Sequence, residues 1–135
     1  EKHFGKLNEK PNAASQKVSA YLNLDNGAGA IRGIYLQKNE FVRPVFENIF
    51  SAIPNLTEGA LTIENTLSTD HETFDYYKIP SFQFIQDELS YRTTNHHTNL
   101  DVLEYVPEND IKKNAVILAW TIYSIAERDE KLPRK

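Results

Sequence analysis

The sequence predicts an α/β fold of the three-layer sandwich type, with helices packed on a mostly parallel sheet of about four strands. Two observations support this prediction. Short apolar or alternating segments, which are typical of strands, take turns with segments whose apolar residues recur every three or four positions, as in helices. The connections are short, and such alternation favours a layered α/β fold. A chain of 135 residues can bury a core, and we expect one domain over residues 1–135.

The composition excludes several classes of function. The net charge of −4 gives no electrostatic argument for nucleic acid or an anionic membrane as a partner. Because there is no cysteine, disulfides and thiolate metal sites are excluded, and any metal would be bound by His, Asp and Glu. No apolar run is long enough to span a membrane, and no signal peptide is visible. Methionine is absent even at position 1, which favours a mature product or a piece of a longer chain.

Four segments are predicted to be strands. They are residues 18–24, 31–36, 60–63 and 82–85. The first alternates apolar and polar side chains and ends at Asp25-Asn26-Gly27. A carboxylate that follows a strand is well placed for a functional site. Asp25 and Asn26 are equally typical of a simple turn before Gly27.

Three segments are predicted to be helices, after a first stretch, residues 1–16, that is expected to end a helix and continue as a loop. The helices are expected over residues 39–53, around 68–75, and from Asn109 to about Arg128. Asn39 is the expected N-cap of the first of them. The last helix is expected to bury one apolar stripe, formed by Ile111, Ala115, Leu118, Ile122 and Ile125.

Two further segments carry ionisable side chains that could form a site. The loop before the last helix holds His96 and His97, and Asp101 follows His97 at a spacing that allows a carboxylate to orient an imidazole. Neutral imidazole is a common zinc ligand, although adjacent histidines in a loop are more typical of solvated surface. Asp70 and His71 begin the short helix and could face a cleft, although Asp70 is more typical of a helix cap.

Together, three motifs resemble the C-terminal part of the co-catalytic zinc exopeptidases in their order and spacing. The motifs are Asn23–Gly27, Thr69–Phe74 and His97–Asp101. This group includes bacterial leucyl aminopeptidases, the plasma glutamate carboxypeptidase type and, more distantly, glutaminyl cyclases. The runs at residues 79–87 and 130–134 look closest to the plasma glutamate carboxypeptidase type. The resemblance covers nearly the whole chain from the first predicted strand onward.

The resemblance implies an enzyme that hydrolyses terminal peptide bonds with two zinc ions, and it gives roles to five residues. Asp25 matches the carboxylate ligand of one zinc ion, and His97 matches the imidazole ligand of the other. Asp70 and His71 match an outer pair near the substrate end of the site. Asp101 matches the carboxylate that follows the ligand histidine.

The resemblance also implies a position for each ligand. Asp25 and His97 should converge at one edge of the sheet, with their metal-binding atoms within about 8 Å of each other in a two-zinc site. His96 is then a neighbour of the ligand, and its ring is expected to point away from that edge.

The matched region holds at most two of the five ligands of this family and no general base. The first histidine ligand, the bridging aspartate and the adjacent pair of glutamates all precede it, and residues 1–5 resemble the helix after that pair. We therefore expect the C-terminal half of a peptidase catalytic domain, with no catalytic residue of its own and no activity in isolation. The expected partners are a peptide substrate and the missing N-terminal half, with a homo-oligomer as a further option. By resemblance, the parent protein would be secreted or periplasmic.

Two alternatives stay open at this point. The first is a binding or structural domain that has the same scaffold but no catalysis, which the missing ligands favour if 135 residues are the whole natural product. The second is a glutaminyl cyclase-like transferase with a single zinc ion. In that case His97 would still bind the metal, and Asp25 would only support a ligand. The absent initiator methionine and the half-domain boundary favour the exopeptidase.

Overall fold

The computed structural model describes residues 12–135, and within them four strands form one sheet in the order β1-β4-β2-β3. The strands are β1 (Tyr21–Asn23), β2 (Ile31–Tyr35), β3 (Ala60–Thr62) and β4 (Ser81–Gln86). β1 is parallel to β4 and β2 is parallel to β3, whereas β2 and β4 are antiparallel. The prediction of a mostly parallel sheet of about four strands is confirmed.

The described residues also contain four α-helices and three shorter helical turns. The α-helices are α1 (Ala13–Lys17), α2 (Arg43–Ser51), α3 (His71–Tyr76) and α4 (Glu108–Ala126). The turns are of 3-10 type at Glu40–Val42 and Leu103–Tyr105 and of π type at Tyr91–Asn95. No helix among residues 12–135 is long and apolar enough to cross a membrane.

α1 falls where a loop was predicted. It begins at residue 13 because Asn12 Oδ1 accepts hydrogen bonds from the backbone N–H groups of Ala14 and Ser15, both at 3.0 Å. The part of the expectation that concerns residues 1–11 lies outside the described residues.

The apolar core lies between one face of the sheet and the pair α2 and α4. Phe82 and Phe84 of the central strand β4 are fully buried on this face. The ring of Phe46 in α2 meets Phe82 edge-on, with centroids 5.0 Å apart. Trp120 of α4 donates its indole N–H to the backbone oxygen of Ile49 at 2.9 Å, which joins the two helices.

α3 covers the opposite face of the sheet. The ring of Tyr21 in β1 stacks on Phe74 of α3, with centroids 3.9 Å apart. On this face Asn23 and Gln83 form a buried pair, in which Asn23 Nδ2 donates to Gln83 Oε1 at 2.6 Å. Helices therefore lie on both sides of the sheet, as the predicted three-layer arrangement requires.

β2 and β3 approach each other closely at Gly33. A Cβ atom at this position would lie only 1.9 Å from the backbone oxygen of Ala60. The residue has to be glycine because no side chain fits between the two backbones in this register.

α4 forms where it was predicted but buries a different face. Its buried side chains are Asn114, Ile117, Thr121 and Ile125. Ile111 and Ile122 are each 52% exposed, Ala115 is exposed and Leu118 is half-buried, so the predicted burial of these four is wrong. Asn114 fixes the rotation of the helix, because its amide accepts from the backbone N–H of Ile31 at 2.8 Å and donates to Gly29 O at 2.9 Å.

The residues after α4 return to the start of the sheet and are held there by hydrogen bonds. Arg134 donates to the backbone oxygens of Ser15 at 2.9 Å and Val18 at 3.0 Å, and burial lowers the pKa of its guanidinium. Asn39 Nδ2 donates to Pro133 O at 2.7 Å and makes no capping bond. Asn39 thus takes the N-cap position of the turn before α2, as predicted, but its amide holds this tail and does not cap the helix.

Candidate functional site

A cavity of about 640 Å³ opens beside the carboxyl ends of β1 and β4. These two strands are parallel neighbours, so the segments that follow them leave the sheet at the same edge. Asp25, after β1, lines the cavity together with His97 and Asp101, after β4. Three of the residues selected from the sequence therefore lie around one space, although Asp25 is far from the other two along the chain.

Asp25 sits two residues beyond β1 and is exposed. Its backbone oxygen accepts a hydrogen bond from the Tyr91 hydroxyl at 3.2 Å, which links the segment after β1 to the segment after β4. Within residues 12–135 the Asp25 carboxylate makes no ion pair or hydrogen bond. It is therefore free to act as a ligand.

The two histidines stack on each other in the wall of the cavity. The ring centroids of His96 and His97 are 3.8 Å apart, and the Tyr91 ring also contacts His96, with centroids 4.8 Å apart. His97 has a left-handed backbone, with φ of +58°, which histidine adopts more readily than most residues. The expectation that His96 points away from the site is wrong, because its side chain also lines the cavity.

Asp101 lines the cavity but does not hold the imidazole directly. In the part of the chain that the structure describes, no hydrogen bond joins Asp101 to His97. The backbone N–H of Asp101 donates to Thr98 O at 3.3 Å, which closes the turn after the histidines. An orienting contact from its carboxylate to His97 stays a prediction.

Asp70 is exposed at the start of α3 and does not line this cavity. It takes the N-cap position of α3, as predicted, but its side chain makes no capping bond. The carboxylate of Glu72, in the first turn, accepts a hydrogen bond at 2.6 Å from the backbone N–H of Ser68, which precedes the helix.

His71 is buried behind the wall of the cavity, with 1% of its surface exposed. Its Nδ1 is paired with the hydroxyl of Thr69, a residue that lines the cavity, and its Nε2 contacts Gln37 and Thr66 O. Thr69 Oγ1 also accepts from Asn23 Nδ2 at 3.0 Å. His71 therefore supports the wall through Thr69, and it borders a separate cavity of about 260 Å³.

Sequence reasoning missed Tyr91 and Arg92, which also line the cavity. The pKa of the Tyr91 phenol is raised by burial first and then by the charges of Asp25 and Asp101, while Arg92 opposes this shift. The charges of Asp25, Arg92 and Asp101 therefore all act on the Tyr91 hydroxyl. The only signal in the sequence was that both residues lie in the polar run before the histidine pair.

The comparison with protein families gives one match. The model of peptidase family M28 matches residues 2–122. The chain belongs to peptidase family M28. This is a family of co-catalytic zinc aminopeptidases and carboxypeptidases, so the resemblance seen in the sequence motifs is confirmed. A search of curated proteins and a search of solved structures found no match.

The zinc of an M28 peptidase needs more ligands than this cavity offers. Among residues 12–135, no three His, Cys, Asp or Glu side chains are grouped so that they could hold a metal ion. Each zinc ion in a protein normally has three or four protein ligands. Asp25 and His97 have suitable donor atoms and share the cavity, but they do not make a complete site.

Proposed function

We propose that this M28 chain is part of a zinc-dependent exopeptidase and supplies one ligand to each of two zinc ions, Asp25 to one and His97 to the other. The observation that carries the proposal is that both side chains line one cavity where two parallel strands end. The family supports the zinc peptidase, and the residue types agree with it.

The described residues would bind the zinc ions and orient the two ligands, while other residues would complete the metal site and supply the general base. A pair of bound zinc ions lowers the pKa of a shared water and polarises the scissile carbonyl. Tyr91 would fix the segment that carries Asp25 through its hydrogen bond, and the ring stack would fix His97. The remaining ligands and the general base would come from outside residues 12–135.

The other half of the catalytic domain is the proposed partner, and it would dock at β1. This strand lies at one edge of the sheet. A groove of about 600 Å³ beside it is lined by Leu22 on the strand, by Ala20 just before it, and by Ile122 and Ala126 on α4. Because the same strand leads into Asp25, a strand added along this edge would bring its own side chains to the incomplete site.

The test compares the two histidines in a polypeptide that contains this chain and the rest of its catalytic domain. His97→Ala should abolish zinc-dependent hydrolysis of peptides, because one zinc ion loses its imidazole ligand. His96→Phe is the matched control, since it keeps a ring that can stack on His97 and removes only the neighbouring imidazole nitrogens, and it should keep most of the activity. Equal losses in the two variants, or full activity in His97→Ala, would reject the assigned ligand.

A second candidate is a binding or structural domain on the same scaffold without catalysis. The lack of a three-ligand group among residues 12–135 favours it. It predicts that even the polypeptide with the complete domain binds no zinc tightly and hydrolyses no peptide. The same assay therefore separates the two candidates.

A further inference from the structure

We infer that the peptide unit between Asn26 and Gly27 is a site of spontaneous deamidation, in which the side-chain amide of Asn26 becomes a carboxylate next to Asp25. The only reactant besides the chain itself is water. The inference concerns the chemistry of the cavity wall and does not depend on the proposed peptidase activity. It means that the cavity changes its charge and its backbone as the protein ages.

The first observation is the sequence of the segment that follows β1. Asn26 is directly followed by Gly27, and this is the only Asn-Gly pair among the 135 residues. The backbone nitrogen of the next residue can attack the side-chain amide of an asparagine. This attack is least hindered when the next residue is glycine, which has no Cβ atom.

The second observation is that the fold requires glycine at position 27. Gly27 has a φ of +156°, a backbone conformation that residues with a side chain rarely adopt. A Cβ atom there would lie 2.7 Å from Asp87 O and 2.9 Å from Gln86 Cβ, at the end of β4. The unhindered neighbour of Asn26 is therefore imposed by the close approach of β4.

The third observation is that both reacting groups are free. Asn26 is partly exposed, lines the cavity and lies in a bend outside the helices and strands. Within residues 12–135, its side chain makes no hydrogen bond, and the backbone N–H of Gly27 donates none. A bond to the amide would hold it in place, and a bond from the N–H would oppose loss of its proton. The structure imposes neither restraint.

The reaction balances without an oxidant or a reductant. The Gly27 nitrogen attacks Cγ of Asn26, a C–N bond forms, and the bond from Cγ to Nδ2 breaks. Nδ2 leaves as ammonia with the proton that the Gly27 nitrogen has lost, and a cyclic succinimide remains. Water then adds to one of the two ring carbonyls and breaks its bond to nitrogen. Opening at Cγ gives aspartate at position 26, and opening at the backbone carbonyl gives isoaspartate.

Both products change the surroundings of the proposed ligand. Either one adds a carboxylate to a cavity in which Asp25 and Asp101 are the carboxylates among the described residues. Isoaspartate also lengthens the main chain by one methylene group between two fixed points. One point is Asp25 O, which accepts from the Tyr91 hydroxyl at 3.2 Å, and the other is Gly29, whose N–H donates to Asp87 O at 2.9 Å. The Asp25 segment is therefore expected to shift in the isoaspartate form.

The experiment incubates the folded 135-residue chain in H₂¹⁸O at mildly alkaline pH and analyses its peptides by mass spectrometry with electron-transfer fragmentation. Position 26 should gain ¹⁸O and contain isoaspartate. Asn99 is the internal control, because it is exposed but is followed by Leu100, whose N–H donates to Thr98 Oγ1 at 3.1 Å. Labelling at Asn26 should be at least about tenfold faster than at Asn99, which corresponds to a barrier lower by about 1.4 kcal/mol.

Two further samples test whether the fold permits the reaction at this residue. A peptide with the sequence of residues 20–30 gives the rate in the absence of the fold. The folded chain should reach at least about a third of that rate, a barrier difference of about 0.7 kcal/mol. Asn26→Gln should gain no ¹⁸O at position 26, because the longer side chain would have to form a larger ring.

The inference is overturned if Asn26 gains ¹⁸O no faster than Asn99. It is also overturned if the folded chain reacts far more slowly than the peptide, because the fold then protects the amide. The expected shift of the segment is measured by ¹H–¹⁵N NMR of the aged chain, in which Asp25 and Tyr91 should give a second set of amide signals and Ile117 should not. Unchanged Asp25 and Tyr91 signals in a sample that contains isoaspartate would reject that shift. Neither measurement uses zinc or peptide hydrolysis, so both can be read whether or not the proposed activity is found.

Discussion

At the scale of single residues, the absence of a side chain can determine a strand pairing. At Gly33 the backbones of β2 and β3 are so close that a methyl group would overlap Ala60 O. Gly33→Ala should therefore lower the free energy of unfolding by about 1–3 kcal/mol, because the two strands must separate. Urea denaturation followed by circular dichroism measures this change.

Gly29→Ala serves as the comparison for this prediction. The added methyl group would lie 2.8 Å from Asp87 Cβ, 3.0 Å from Asp87 O and 3.1 Å from Leu89 Cδ1, so each contact is much less severe than the 1.9 Å contact at Gly33. The loss should be smaller than for Gly33→Ala. An equal or larger loss would mean that the β2–β3 contact does not impose the glycine.

Sequence motifs identify some of the residues that line the cavity and miss others. Asp25 and His97 could be selected because their motifs have the right order and spacing, and the structure brings them to one cavity. Tyr91 and Arg92 could not, since a π-helical turn directs them to the cavity and no periodicity predicts such a turn. Asp70 takes the N-cap position that the sequence predicts, but its side chain makes no capping bond.

At the scale of secondary-structure elements, α4 shows that the spacing of apolar residues predicts a helix but does not predict which of its faces is buried. The recurrence of apolar residues predicted a helix, and the helix exists. The buried side was wrong because Asn114 and Thr121 are buried through hydrogen bonds that a hydrophobic pattern ignores. Thr121 donates its hydroxyl to the helix backbone at Ile117 O, and Asn114 bonds β2 and the loop before it.

Because α4 buries Ile117 more fully than Leu118, substitutions at these adjacent positions should differ in their effect on stability. Ile117 is fully buried in the core, so Ile117→Ala should cost about 2–5 kcal/mol of stability. Leu118 is only half-buried, so Leu118→Ala should cost clearly less. Thermal and urea unfolding of the two variants under one set of conditions give the comparison. A larger loss in Leu118→Ala than in Ile117→Ala would show that the helix face containing Leu118 is the one packed on the core.

At the scale of the whole molecule, exposed apolar side chains of α4 and the edge strand β1 line one groove that is open among residues 12–135. An apolar surface of this kind favours association, and we expect the isolated chain to self-associate through it. We expect Ile122→Glu to abolish the concentration-dependent self-association of the isolated chain, because it places a charge in the contact. Sedimentation velocity at several concentrations measures the effect.

Val116→Glu is the matched control, since Val116 is 53% exposed on the same helix and does not line the groove beside β1. It should leave self-association unchanged. If both variants dissociate equally, general charge repulsion and not this surface governs the assembly.

The ligand count makes a second prediction for the whole chain. With one proposed ligand for each zinc ion, the isolated 135 residues should bind zinc weakly and hydrolyse peptides no faster than buffer does. Isothermal titration calorimetry and a peptide hydrolysis assay measure both properties. Robust hydrolysis that is lost on chelation would show that the active site lies elsewhere in the chain.

The tail after α4 sets an order of events during synthesis of the protein. Arg134 is bonded to the backbone of Ser15 and Val18, which are 119 and 116 positions earlier. Leu132, which is 2% exposed, belongs to the apolar core, and its backbone N–H donates to the Ser19 hydroxyl at 3.2 Å. The ribosome makes these contacts available only after residue 134 has left the exit tunnel, and loops of this length close slowly. The segment from α1 to residue 18 therefore gains these last hydrogen bonds only when synthesis has passed the end of α4.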